Sequence, residues 1–358
     1  MDLTIKKIDK INPSVINDWN KLWNIAVNSS VFNSYLWFKS SCDTLKITDF
    51  QLIACYKDNE MLAILPLIGY KKFAVSVFST PNNHFLVDTG ILCKSYDEQL
   101  LKTFFDYLMN NYNFYLTKFD SDIAGILKKI FPKLFFSLMS ANPYLNLDDN
   151  YVSRLSKRTI SSAKKLMNSY PDKIKFEYLS SERLTNDLIE TLFTIDEKSA
   201  KKLKNKDIFS NETNKNFFRN LYKYCHKFIK IFVFYFNEVP VAYHFGFLYK
   251  NFFAAYHTSY LAEYRFLEPG KTSMVKLIEK LHAEKIGILD FGGGMSDYKK
   301  SFADSHRLLY DLYFSKNSLT MAWWRLINLV RRLKQKTFPE KHTEDYKYLF
   351  KEYQNENN

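Results

Sequence analysis

Apolar positions along this chain follow two periods, one after the other. Across residues 13–30, Trp19, Leu22, Trp23 and Ala26 recur at helical spacing, and a second helix is expected from Ser34 to Leu45. The pattern then shortens to strand-length runs. Phe50–Tyr56 and Leu62–Ile68, joined by Lys57-Asp58-Asn59-Glu60, predict a hairpin, and Ala74–Phe78 predicts a third strand. Helices at 97–111 and 121–130 flank a strand at Phe114–Phe119. A basic amphipathic helix at Leu155–Leu166, a strand at Lys173–Leu179 and helices at 182–200 and 211–227 come next. Three aromatic-rich strands follow, Phe228–Phe236, Val239–Leu248 and Phe252–Ser259. A helix from Gly270 to Lys285 leads into the apolar run Ile286–Leu289, and Leu308–Phe314 is expected to complete the second sheet.

This order predicts an α/β protein with mixed sheets in two domains. Turn-rich Asn142-Pro143-Tyr144 and Asp148-Asp149-Asn150 set the expected boundary: an N-terminal domain at 1–147 and a C-terminal one at 148–316, with a basic helix and polar tail at 317–358. The hairpin around Asn59-Glu60 is echoed by one around Asn237-Glu238, half the chain further on, as two copies of one unit would give. In Ser318–Lys336, Leu319, Trp323, Leu326, Ile327, Val330 and Leu333 alternate with Arg325, Arg331, Arg332, Lys334 and Lys336. That pattern fits an interfacial helix on an anionic membrane, and also a helix packed on its own protein.

Composition narrows the partners. Lys and Arg number 51 against 38 Asp and Glu, a formal charge of +13. Such a charge suits a phosphorylated cofactor, a nucleic acid or a membrane surface, without choosing among them. Cys42, Cys55, Cys93 and Cys225 are scattered, as free thiols in a reducing compartment would be. The seven histidines have no metal-ligand spacing, so no metal is expected. No signal-peptide core and no spanning-length apolar run is present, which gives a cytoplasmic expectation, with peripheral contact at the membrane's inner face left open.

Two segments carry candidate chemistry. In Asp290-Phe291-Gly292-Gly293-Gly294-Met295-Ser296-Asp297-Tyr298-Lys299, glycines follow an apolar strand and deliver a phenol and an ammonium just past its end. In Arg265-Phe266-Leu267-Glu268-Pro269-Gly270-Lys271-Thr272-Ser273, a strand gives way to a helix whose first N–H groups suit phosphate. Lys271 adds charge there, and Thr272 and Ser273 add hydroxyls. A plain glycine turn and an ordinary helix start explain the same residues.

The order strand, Arg-x-x-x-x-Gly-x-x-Ser, helix, strand resembles the acyl-CoA-binding segment of the GNAT acyltransferases, although it has one glycine and a longer Arg265–Gly270 spacing. It is more similar to the FemAB-like branch, two tandem GNAT-like domains. That branch includes peptidoglycan-bridge aminoacyltransferases and acyltransferases of polysaccharide operons. Val31-Phe32-Asn33-Ser34-Tyr35-Leu36-Trp37 and Leu62-Ala63-Ile64-Leu65-Pro66-Leu67 resemble its early motifs, and Leu155–Leu166 its basic helix. Pro269-Gly270 and the Asp290–Lys299 loop resemble its last two motifs.

The resemblance implies two tandem GNAT-like domains, each a mostly antiparallel mixed sheet flanked by helices. It implies acyl-CoA as donor, held by Arg265, Gly270, Lys271, Thr272, Ser273, Gly292 and Gly293. Lys299 would stabilise the donor carbonyl or contact phosphate, and Tyr298 would donate or relay a proton. Asp290 is read as a loop anchor. Tyr256 and His257 should point to opposite faces, so at most one meets the cleft; His257 is a candidate for chemistry, and His244 could be a core histidine. Asn83, His84 and Asp88 are candidates for binding the acceptor. Lys157, Arg158, Lys164 and Lys165 suit a phosphate or a solvated helix face. Three functions follow: acyl transfer from acyl-CoA to an amine or hydroxyl of an envelope sugar or polysaccharide precursor, aminoacyl-tRNA-dependent transfer to a peptidoglycan precursor, or a non-catalytic membrane-associated protein.

Overall fold

A computed structural model describes residues 2–81, 90–202 and 207–337. The chain forms two compact units, one taking residues up to Ala141 and from Arg307 onward, the other Asn142–His306.

The first unit opens with β1 (Thr4–Ile8), α1 (Pro13–Ile25), α2 (Tyr35–Leu45), β2 (Gln51–Lys57), β3 (Glu60–Lys72) and β4 (Val75–Ser79). Then come β5 (Leu92–Cys93), α3 (Glu98–Asn111), β6 (Phe114–Asp120), α4 (Ser121–Ile130) and β7 (Phe135–Asn146). Side chains cap the helix starts: Asn12 accepts from the Val15 N–H, Asp97 from Leu100 and Asp120 from Ile123. The β2–β3 turn puts Asp58 and Asn59 at φ of 51° and 66°, the left-handed pair that a two-residue hairpin needs. Strands β1 to β4 form an antiparallel ladder, and β4 meets β6 in parallel at Phe78–Phe114.

The second unit contains α5 (Tyr151–Arg154), α6 (Lys157–Ser169), β8 (Ile174–Leu179), α7 (Asn186–Glu197), α8 (Glu212–Cys225), β9 (Ile229–Phe236) and β10 (Val239–Tyr249). It continues with β11 (Phe252–Tyr260), α9 (Pro269–Ala283), β12 (Ile288–Asp290) and α10 (Asp297–Lys300). Strands β8 to β11 are antiparallel neighbours, β11 and β12 are parallel, and β12 pairs antiparallel with Tyr144–Asn146 of β7. Helix α9 buries Met274, Leu277, Ile278 and Leu281 among Phe232, Phe253 and Leu289.

The chain ends its described course with β13 (Ser305–Phe314) and α11 (Ser318–Thr337). Residues Leu309–Phe314 pair with β6 of the first unit, not with the second unit's strands β8 to β11. Each unit thus has four antiparallel strands, one parallel step and an antiparallel closing strand. The closing strand of each comes from the far side of the expected boundary. The expected ranges 1–147 and 148–316 differ from these two units, and residues 338–358 of the expected 317–358 segment lie outside the described residues. Asn142-Pro143-Tyr144 lies within a strand, and Pro143 keeps its place through its carbonyl, which accepts from the Phe291 N–H at 3.0 Å.

Helix α11 packs on the first unit. Met321 and the fully buried Trp324 meet Val77, Tyr115 and Tyr313, and Asn328 bonds to Ser137 at 3.1 Å. The inward face is not the one the sequence marked as apolar: Leu319, Trp323, Leu326 and Val330 face outward.

Candidate active site

The pairing of β11 with β12 covers three residues, from Phe252–Ile288 to Ala254–Asp290. Strand β11 then runs on to Tyr260 while β12 ends, so the strands part at Ala255. An edge opened this way presents backbone N–H and C=O groups to a ligand. At the same point β11 carries a bulge: Phe245 faces His257 and Gly246 faces Ala255, leaving Tyr256 as the extra residue. Gly246 makes the approach possible, because a Cβ there would lie 2.5 Å from the Phe253 ring and 2.6 Å from the Ala254 carbonyl.

The bulge also breaks strand alternation. The rings of Tyr256 and His257 both rest near Phe218 of α8, at centroid distances of 5.6 and 6.1 Å. The expectation that they take opposite faces is therefore overturned.

His257 sits in a buried polar line. Its Nδ1 is 2.8 Å from the Tyr243 hydroxyl, and its Nε2 lies 3.7 Å from Asp196 Oδ1. Among the described residues neither Nε2 nor that oxygen has a hydrogen-bond partner. The other Asp196 oxygen accepts from the N–H groups of Ile208 and Phe209 at 2.9 and 3.3 Å. Lys201 Nζ stands 3.8 Å from Asp196 Oδ1 and donates to the Thr258 carbonyl. Burial first, and Lys201 second, hold the His257 pKa well below its ordinary value. A neutral imidazole with an unsatisfied nitrogen can accept or relay a proton. The sequence singled out His257 but none of Tyr243, Asp196 or Lys201. They sit on β10, at the end of α7 and just beyond it, and only the fold brings them together.

His244 points to the other side of β10. Its Nε2 is 2.7 Å from Ser273 Oγ, and that hydroxyl donates to the Pro269 carbonyl at 2.5 Å, so the imidazole is the donor. Burial, then Lys201, lowers its pKa to about 3. It is a core histidine.

The glycine loop is tied from both ends. Asp290 Oδ1 accepts from the Gly292 N–H at 2.6 Å, which makes Asp290 the loop's anchor. Gly292 and Gly294 take φ of 72° and 93°, conformations that favour glycine. Lys299 and Tyr298 stand on α10. The Lys299 ammonium donates to the carbonyls of Gly292 and Gly293 at 3.1 and 2.6 Å. The Tyr298 hydroxyl donates to the Gly270 carbonyl at 3.0 Å, joining the two candidate segments directly, and burial raises its pKa.

The helix start differs from the expectation. Thr272 and Ser273 are fully buried, and their hydroxyls donate inward to the Leu267 and Pro269 carbonyls, so neither can hold a donor phosphate. Arg265 and Lys271 are exposed. Glu268, at φ 42°, occupies the cap position; its carboxylate accepts from Ser162 at 3.2 Å and lies 3.6 Å from Lys271. That carboxylate already answers the positive end of the helix. Elsewhere on α6, Lys157, Lys164 and Lys165 line an open groove.

Asn83, His84 and Asp88 fall outside the described residues. Within the first unit, Phe32, Ser34, Trp37 and Pro66 come together around a pocket with Trp19, Thr80 and Pro81. Part of that motif is structural: Ser34 caps α2 by accepting from the Trp37 N–H at 3.2 Å, and Phe32 packs edge-on to Trp37 at 4.9 Å.

The bulged strand, the helix after it and the glycine loop all lie within residues 156–300. Residues 156–300 match the family model described as acetyltransferase (GNAT) domain. They are GNAT-like. Over the whole chain the likeness is one of fold. FemX superimposes with a TM-score of 0.61 at 12% identity, over 90% of this chain and 100% of that one. L-PGS from Bacillus licheniformis gives 0.56 at 10%, over 90% and 97%. A conserved protein of unknown function from Bacteroides thetaiotaomicron VPI-5482 gives 0.58 at 14%, over 87% and 100%. Among curated proteins, none matches. The chain therefore has the tandem GNAT, FemAB-like fold, and the GNAT-like segment holds the parted strands, the His257 line and the glycine loop.

Proposed function

We propose that the GNAT-like segment transfers an acyl group from acyl-CoA to an amine or hydroxyl of a cell-envelope sugar or polysaccharide precursor. The observation that carries this reading is the parting of β11 from β12 at the Tyr256 bulge. The edge of residues 255–260, where Lys201 already bonds the Thr258 carbonyl, would take the donor's amide-bearing arm as an added strand. The bulge frees a backbone group from the ladder, a suitable partner for the developing oxyanion. The acceptor's nitrogen or oxygen would bond to the acyl carbon as the carbon–sulfur bond breaks. The acceptor's proton passes to His257, backed by Asp196, and the thiolate leaves to be protonated from solvent. Calorimetric titration with short acyl-CoAs, followed by a thiol-release assay over amine and hydroxyl acceptors, tests this. No binding of any short acyl-CoA would remove that donor.

A second reading, an aminoacyl-tRNA donor with a peptidoglycan-precursor acceptor, is favoured by the lysine groove on α6 and by the +13 charge. Its mark would be tRNA binding that weakens steeply with salt.

A further inference from the structure

We propose that α11 seats the protein on an anionic lipid surface through the helix face turned away from the first unit. At about 100° per residue, Met321, Trp324 and Asn328 fall on one side of the helix, and Leu319, Trp323, Leu326 and Val330 share an arc of about 60° on the opposite side. The first group is buried against the unit. The second is exposed: Leu319 by 78%, Trp323 by 50%, Leu326 by 50% and Val330 by 41%. A helix with two apolar faces needs two apolar surroundings, and the described residues supply one, against Met321 and Trp324.

Charge selects the occupant. From Leu312 to Pro339 the sequence holds Lys316, Arg325, Arg331, Arg332, Lys334 and Lys336 and no acidic residue. Two copies meeting through this helix would bring like charges together. An anionic bilayer complements them, each basic residue near the surface adding roughly fivefold to binding. Among the described residues no helix is long and apolar enough to cross a membrane, so α11 would lie along the surface, with Trp323 and its neighbours in the headgroup–acyl boundary.

The test is flotation of the full chain with vesicles of phosphatidylcholine mixed with phosphatidylglycerol, against phosphatidylcholine alone, at low and high salt. Trp323→Glu/Leu326→Glu and the single Leu319→Glu are run beside it, with thermal melts to confirm folding and sedimentation velocity to follow self-association. The protein is expected to float with the mixed vesicles and far less with the neutral ones. Salt should weaken binding, and the double variant should lose about tenfold or more in partitioning with an unchanged melt. Absence of binding to mixed vesicles overturns the proposal. So does binding that both variants retain, or a dimer of the parent chain that the double variant converts to monomer.

Discussion

The Tyr298 hydroxyl donates to the Gly270 carbonyl at 3.0 Å, tying the helix that follows the glycine loop to the start of α9. Tyr298→Phe removes the bond and leaves the ring against Phe302. It should lower stability in urea denaturation by about 1 kcal/mol and weaken donor binding several-fold. A proton-donating role would instead show as a loss in kcat of about a hundredfold or more with donor binding intact.

Lys299 bridges two loop carbonyls with its ammonium. Lys299→Met should loosen the loop, raising the KM for the donor by about tenfold with a smaller change in kcat. The opposite pattern, a large fall in kcat at constant KM, would place the ammonium on the reacting carbonyl.

The two buried histidines make stability depend on acid. An unfolded histidine titrates near about 6.5, whereas folded His244 is lowered to about 3 and His257 is lowered well below normal. Below about pH 6.5 the unfolded chain therefore binds protons that the folded chain does not. Stability should fall by about 1.4 kcal/mol per pH unit for each histidine, with no contribution above that pH. His244→Gln keeps a donor for Ser273 and should flatten the profile between pH 7 and 5, measured by urea denaturation. An unchanged slope contradicts the assignment.

Glu268 places a carboxylate where a donor's phosphates would meet α9. Glu268→Gln removes a like charge and should tighten acyl-CoA binding by roughly threefold to tenfold in calorimetry. No change would direct the phosphates elsewhere, with the lysines of α6 the next place to look.

Much of this was legible in local sequence. The hairpins could be read because Asp58-Asn59 and Asn237-Glu238 sit between apolar runs, and Asp290 could be read as an anchor because its partner is two residues away. What escaped was long-range or a matter of phase. Nothing in Leu308–Phe314 says which sheet it joins, and Asn142-Pro143 reads as a turn although it lies in β7. Thr272 and Ser273 look like phosphate ligands until the rotation of α9 turns them inward. Tyr243, His257 and Asp196 share no sequence spacing, and the bulge that sets their geometry depends on how two strands pair.

The central claim is that the donor lies along the open edge of β11. Hydrogen exchange of the full chain, with and without saturating acetyl-CoA or another short acyl-CoA, tests it most directly. The account predicts slowed exchange in peptides covering Ala255–Tyr260 and Phe291–Met295, with little change in β9. Acyl-CoA that binds without protecting those residues would contradict it.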